Sequence, residues 1–144
     1  LFRSYISIIY GIILGVLVAQ MFIAPTKQPT TENTHSTTSV TYEKITAKEA
    51  KARIDSGDDL IILDVRTKEE YDQEHIADSI LIPNETILDA KPELLPDPKA
   101  EILVYCRSGN RSAQAARKLA ALGYTNVYDF GGIIDWPYEK VTVD

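Results

Sequence analysis

The sequence predicts an α/β domain with a central, mostly parallel sheet and helices on both faces. Nearly continuous apolar runs at residues 60–65, 80–82, 102–105 and 127–130 are typical of strands that are covered on both sides. Helix signals separate these runs, as expected of strand–helix–strand units. With 144 residues, 44% of them hydrophobic and 25% charged, the chain has the size and composition of one packed domain.

Capping signals and one amphipathic segment mark the predicted helices. A Thr followed three residues later by Glu, the pattern of a capping box, occurs at Thr46 and again at Thr67. Residues 111–122 place small apolar side chains on one face and polar ones on the other, and Gly123 follows as a typical helix end. Because ligands of parallel sheets bind at the carboxyl ends of strands, the residues after each apolar run are the candidates for function.

The N-terminal region differs in composition from the rest of the chain. Residues 6–23 carry no charge and are mostly apolar. As a helix this segment is about 27 Å long, close to the thickness of a bilayer's hydrocarbon core. We therefore expect residues 1–25 to form a transmembrane anchor, with the lipid bilayer as the partner of residues 6–23. A signal peptide is the alternative, although bulky residues stand where cleavage requires small ones. A buried core helix is the least favoured interpretation.

The charges beside this segment predict its orientation. Arg3 precedes it and Lys27 follows it, so the positive-inside bias is weak. We expect a single-pass protein of the cell membrane with its folded domain on the extracytoplasmic side, or a secreted protein if the segment is cleaved.

A flexible linker is predicted between the anchor and the domain. Eight of the fourteen residues at 26–39 are Thr or Ser, and His35 among them is expected to be solvated rather than to bind a metal. Residues 40–144 then form the folded domain. The chain has 15 Lys and Arg against 21 Asp and Glu, a net charge of −6, which argues against a nucleic-acid partner.

Cys106 is the one cysteine of the chain, so the sequence can form no internal disulfide and no cysteine-rich metal site. We expect no metal and no cofactor. Cys106 follows the apolar run at 102–105 and precedes the predicted helix at 111–122. Loop N–H groups and the positive end of a helix favour a thiolate there, so a reactive thiol is preferred to a buried structural cysteine. The residues of this loop are Arg107, Ser108, Gly109, Asn110, Arg111 and Ser112.

Several motifs, in order, resemble the rhodanese-like domain family over about residues 44–137. They are Leu63-Asp64-Val65-Arg66, Glu70-Tyr71, His75-Ile76, Ile82-Pro83, the segment from Val104 to Ser112, Gly131-Gly132 and Trp136-Pro137. The resemblance implies a rhodanese-like fold and a sulfurtransferase of the thiosulfate type. Glu74 and Asp78 stand where the family often has glycine, in a turn outside the cysteine loop.

The resemblance also implies a reaction. A sulfane sulfur from a donor such as thiosulfate or a polysulfide would form a persulfide on Cys106 and then pass to an external thiol, cyanide or a protein acceptor. The loop residues 107–112 would bind the substrate and stabilise the persulfide. Four residues separate Cys106 from Arg111, as in sulfur-transferring members, whereas the related phosphatases have one more. The alternatives are a tethered persulfide carrier or partner-binding module without turnover and, less favoured, a phosphatase or arsenate reductase.

The resemblance gives supporting roles to residues outside the loop. Asp64 and Arg66 are expected to support the loop. Direct substrate contact, or an ion pair of Arg66 with Glu69 or Glu70, is the alternative. His75 is expected to make structural hydrogen bonds rather than act as a general base.

The last two motifs also have expected positions in the fold. Gly131 and Gly132 are expected to turn the chain close to the cysteine loop. Trp136 is expected to pack at the end of the domain.

Overall fold

The structure is a computed structural model, and it describes residues 41–143. The predicted anchor at 1–25 and the predicted linker at 26–39 lie wholly outside this range, as do residues 40 and 144 of the predicted domain. Among the described residues, no helix is both long enough and apolar enough to cross a bilayer. The elements in chain order are β1 (Glu43–Lys44), α1 (Ala47–Asp55), β2 (Leu60–Asp64), α2 (Lys68–Gln73), β3 (Ile80–Leu81), β4 (Glu101–Cys106), α3 (Asn110–Ala121) and β5 (Asn126–Gly132), with 3₁₀ helices at Asn84–Thr86 and Ile133–Asp135.

The five strands form one parallel sheet in the order β1-β5-β4-β2-β3. β4 is the middle strand. Alternate residues of β4 point to opposite faces, so Leu103 packs with Ala50 of α1, while Val104 packs with Ala116 of α3. The predicted α/β architecture, with helices on both faces of a parallel sheet, is confirmed.

Local sequence signals account for the helix ends. Thr46 and Thr67 both form complete capping boxes, as predicted, with the hydroxyl accepting a backbone N–H and the glutamate bonding back to the cap. α3 begins at Asn110, one residue earlier than predicted, after Gly109.

Two strands, β1 and β5, differ from the prediction by more than one residue at an end; β2, β3 and β4 differ by one residue at most at each end. β1 was not predicted because its two residues are polar and exposed at the sheet edge, so they lack an apolar run. β5 extends to Gly132, beyond the predicted end at residue 130, because β4 continues to pair with it through Cys106. The extension brings the two glycines beside the end of the central strand.

Candidate active site

Cys106 is the last residue of β4, and its side chain is only 1% exposed. The backbone N–H of Gly109 donates to its Sγ at 3.0 Å. The Cys106 thiol can in turn donate to the hydroxyl of Ser112, whose Oγ lies 3.7 Å from Sγ. The loop therefore curls around the sulfur and forms a ring, residues 106–111, closed by the first turn of α3.

Two glycines give the ring its shape. Gly109 has a φ of 99°, which an L side chain rarely adopts, and as the N-cap of α3 it has no side chain to occupy the helix amides. A Cβ on Gly132 would lie 2.4 Å from the carbonyl oxygen of Arg107 and 2.6 Å from Cα of Ser108. The end of β5 therefore packs directly against the ring, as the sequence predicted for this pair of glycines.

Arg111 is bound by a residue that the sequence marked only as a helix cap and family motif. Its Nη1 and Nη2 each donate to a different carboxylate oxygen of Glu70 at 2.7 Å. The hydrogen bonds from Arg111 are the main cause that lowers the pKa of Glu70 from 4.5 to about 2. Arg111 was expected to hold the persulfide, but the structure directs both of these nitrogens to Glu70.

Asp64 and Arg66 form a buried ion pair, with side chains 0% and 3% exposed. Nε and Nη2 of Arg66 both donate to the carboxylate, the shortest contact being 2.7 Å, and Nη2 also donates to the carbonyl of Glu74 at 2.6 Å. Burial acts to lower the pKa of Arg66, but Asp64 outweighs it and the pKa is raised. Arg66 therefore pairs with Asp64, and the alternative pairing with Glu69 or Glu70 is not formed.

The His75 ring is held by its own segment. Its Nδ1 lies 2.9 Å from the carbonyl of Tyr71, which can only accept, so Nδ1 donates. The His75 ring stacks on the Tyr71 ring, with 3.8 Å between the ring centroids. The backbone of His75 exchanges two hydrogen bonds of 2.8 Å with the backbone of Val141. These contacts fix the position of the ring, and the structural role expected of His75 stays a prediction.

The remaining loop residues lie at the surface. Arg107, Ser108 and Asn110 are exposed, and Oδ1 of Asn110 accepts from Gln114 at 3.2 Å. In the part of the chain that the structure describes, no His, Cys, Asp and Glu residues cluster in a way that suits a metal ion.

A pocket of about 280 Å³ lies beside the ring. It is lined by Arg66, Glu70, Gln73, Glu74, Arg107, Ile133 and Ile134. Three of its four charged residues form ion pairs: Arg66 with Asp64, Glu70 with Arg111, and Glu74 with Lys140. A larger pocket of about 510 Å³, between Tyr42 and Arg117, includes no residue of the ring.

Arg107 differs from the other charged residues of the pocket. Within residues 41–143 its guanidinium has no ion-pair or hydrogen-bond partner. It is exposed and follows Cys106 directly. Arg107 therefore supplies the uncompensated positive charge at the pocket mouth.

These features define the class of the protein as an α/β domain whose parallel sheet has a cysteine ring at the carboxyl end of its middle strand. The model of the rhodanese-like domain matches residues 46–137, so the chain belongs to the rhodanese-like domain family. The thiosulfate sulfurtransferase PspE of Escherichia coli is 38% identical over 79 residues, which are 55% of this chain and 76% of that protein.

Other relatives agree with this assignment. A sulfurtransferase of Allochromatium vinosum is 34% identical over 94 residues, covering 65% of this chain and 86% of the relative. A solved structure described as rhodanese with anions from Escherichia coli superimposes with a TM-score of 0.51 at 36% identity, over 57% of this chain and 96% of that one. The family and these relatives support sulfur transfer as the general class of reaction.

Proposed function

We propose that the protein is a sulfurtransferase that moves a sulfane sulfur from thiosulfate or a polysulfide to an acceptor through a persulfide on Cys106. The observation that supports this most is the 3.0 Å hydrogen bond from the Gly109 N–H to Sγ of Cys106 at the carboxyl end of β4. A backbone donor aimed at the sulfur stabilises a thiolate before reaction and an anionic persulfide after it. The name of the relative PspE, a thiosulfate sulfurtransferase, agrees with this donor.

The first step of the proposed reaction forms one S–S bond and breaks another. The Cys106 thiolate attacks the outer sulfur of thiosulfate, and the electron pair of the donor's S–S bond leaves with sulfite. The product is the Cys106 persulfide anion. Cyanide or a thiolate then attacks the outer sulfur, forms thiocyanate or a new persulfide, and returns Cys106 to the thiolate. Because the chain has no second cysteine, the acceptor is another molecule.

The state of Arg111 favours sulfur transfer over phosphatase or arsenate reductase chemistry. A phosphate dianion is best bound by a guanidinium that offers two parallel N–H groups. In this ring Nη1 and Nη2 of Arg111 already bind Glu70. A phosphate or arsenate group bound inside the ring would have to displace that carboxylate, whereas only the outer sulfur of thiosulfate has to enter the ring, where the backbone donor of Gly109 is aimed.

Arg107 is the proposed recruitment site for the donor. It has the uncompensated charge in the lining of the pocket beside the ring, and it directly follows Cys106 in the chain. An anionic donor would be attracted to the guanidinium while its outer sulfur approaches Cys106.

A turnover assay of the full chain tests the function. With thiosulfate or a polysulfide as donor and cyanide as acceptor, we expect thiocyanate to form with ping-pong kinetics, because donor and acceptor react in separate steps. Cys106→Ala is expected to abolish turnover while the domain stays folded. A persulfide that forms on Cys106 but passes to no acceptor would favour the carrier alternative, and turnover by Cys106→Ala would overturn the mechanism.

We also propose that residues 6–23 anchor the protein in the cell membrane with the domain outside the cytoplasm. This rests on the apolar, uncharged composition of the segment. Labelling of the single cysteine with a membrane-impermeant maleimide in intact cells tests the topology. Labelling only after the cells are opened would place the domain in the cytoplasm and contradict the proposal.

A further inference from the structure

The last strand contains a bulge beside the ring of Cys106. Val104 and Cys106 are two residues apart on β4, whereas their partners on β5, Asp129 and Gly132, are three residues apart. β5 therefore has one extra residue at this point, which is uncommon between parallel strands. Gly131 lies in the bulge with a φ of 91°, a conformation that favours glycine.

Two buried side chains bind the polar groups of Gly131. Its N–H donates to Oδ1 of Asp129 at 3.0 Å. Its carbonyl oxygen lies 3.3 Å from Oγ of Ser112. The same hydroxyl lies 3.1 Å from the carbonyl oxygen of Gly109 and 3.7 Å from Sγ of Cys106. These contacts form a continuous path from Asp129 through Gly131 and Ser112 to the thiol.

Asp129 is an unusual residue for a core strand, since it is only 1% exposed. Its neighbours Tyr128 and Phe130 pack on the α1 face of the sheet, while Val127 packs on the α3 face, which Cys106 shares. The alternation of the strand therefore puts Asp129 on the face of the thiol. Its Oδ2 has no hydrogen-bond partner in the described part of the chain. Burying such an oxygen is costly, which points to a requirement that an apolar residue would not meet.

We propose that Asp129 is a positioning residue for Cys106. By accepting the N–H of Gly131 it fixes the bulge, which holds the Gly131 carbonyl against Ser112, so that this carbonyl and that of Gly109 together fix the hydroxyl beside the thiol. Asp129 itself does not touch the sulfur. Its loss is expected to slow the attack of Cys106 without weakening donor binding at Arg107. The consequence for sulfur transfer rests on the proposed function, but the reactivity of the thiol can be measured separately.

The test compares variants of the full chain by two rates, that of persulfide formation and that of alkylation of Cys106. Asp129→Ala removes the acceptor for Gly131, whereas Asp129→Asn keeps an oxygen in the same place. Ser112→Ala interrupts the other end of the path, and Asp135→Ala is the control, because Asp135 is an exposed carboxylate in the 3₁₀ helix after β5. The rates are single-turnover persulfide formation and alkylation of Cys106 by iodoacetamide, which requires no sulfur transfer.

Asp129→Ala is expected to lower both rates by roughly tenfold or more, with the KM for the donor unchanged, because the loss is one of positioning. Asp129→Asn and Asp135→Ala are expected to react as the wild type does. Ser112→Ala is expected to be slow as well, and the double variant with Asp129→Ala should be no slower than the slower single variant, because both act on one path.

Three results would overturn the proposal. These are a wild-type alkylation rate in Asp129→Ala, a loss in Asp129→Asn as large as that in Asp129→Ala, and additive losses in the double variant. If Asp129→Ala does not fold, the alkylation rates of the other two variants are the test. A slow rate in Ser112→Ala with a wild-type rate in Asp129→Asn supports the proposal, and a wild-type rate in Ser112→Ala overturns it. A wild type that is alkylated but transfers no sulfur refutes the proposed function, while the alkylation rates still test Asp129.

Discussion

Glu70 binds Arg111 through both carboxylate oxygens, each 2.7 Å from a guanidinium nitrogen, although the two residues are 41 positions apart. Glu70 belongs to α2 and Arg111 to the first turn of α3. The ion pair therefore connects the wall of the pocket to the cysteine ring. It also neutralises the arginine that a phosphate-binding ring would use.

Glu70→Gln is expected to lower the free energy of unfolding at pH 7 by about 1 kcal/mol, since the pair is partly exposed to solvent. Gln can keep the capping box with Thr67, so the change isolates the ion pair. Arg111 lowers the pKa of Glu70 in the folded chain from 4.5 to about 2. The stabilisation is therefore full above pH 4.5 and is lost as the pH falls through about 2.

Urea unfolding of the wild type and of Glu70→Gln at several pH values measures this difference. A difference that stays constant from pH 7 to pH 2 would contradict the assignment of the ion pair.

Gly132→Ala is expected to destabilise the domain by about 2 kcal/mol or more and to reduce sulfur transfer strongly, because the new Cβ overlaps the ring backbone. The nearest atom, the carbonyl oxygen of Arg107, would be 2.4 Å away. Gly57→Ala is the control for an added Cβ without a clash, since nothing lies within 4 Å of it; Gly57 has a positive φ of 74°, whereas Gly132 is extended with a φ of −116°. It should cost about 1 kcal/mol and leave activity unchanged. Thermal unfolding and turnover of both variants test this, and equal activity in the two would contradict it.

Asp64→Ala is expected to cost about 3 kcal/mol or more in the free energy of unfolding, because it leaves the buried Arg66 without its counter-ion. The exposed pair of Lys68 and Asp72 provides a control, with side chains 71% and 40% exposed. Asp72→Ala should change the free energy by less than about 0.5 kcal/mol. Chemical denaturation measures both values. Similar small losses in the two variants would show that the buried pair is not needed for stability.

Arg107→Ala is expected to raise the KM for an anionic donor several-fold with little change in kcat, because Arg107 attracts the donor without bonding to the sulfur. The kcat/KM of the variant should also fall less with ionic strength than that of the wild type. Arg117→Ala, an exposed arginine on the same helix as the ring's last residues, is the control. Steady-state kinetics with thiosulfate at low and high salt test the prediction, which an unchanged KM would contradict.

Local sequence signals were sufficient for much of the fold. Thr46 and Thr67 fix helix starts through contacts three residues away, and the run at 102–105 gives the central strand through its alternation. The position of Cys106 between a strand and a helix was likewise readable from neighbouring residues.

The parts that the sequence did not reveal depend on contacts between distant segments. The pairing of Glu70 with Arg111 requires α2 to pack beside the ring, and nothing local distinguishes this Glu from a helix cap. Asp129 looked like one polar residue in a weak apolar run, because a bulge is a difference in register between two strands and is not visible in either one alone. An acidic residue inside an apolar run and directly before a Phe-Gly-Gly sequence was the signal that could have drawn attention to it.

The mass of the intact chain after incubation with thiosulfate or a polysulfide tests the central claim most directly. We predict a gain of one sulfur atom that peptide mapping assigns to Cys106, that disappears when cyanide is added, and that is absent from Cys106→Ala. A chain that turns the donor over but never gains this sulfur, or that gains it equally in Cys106→Ala, would contradict the account.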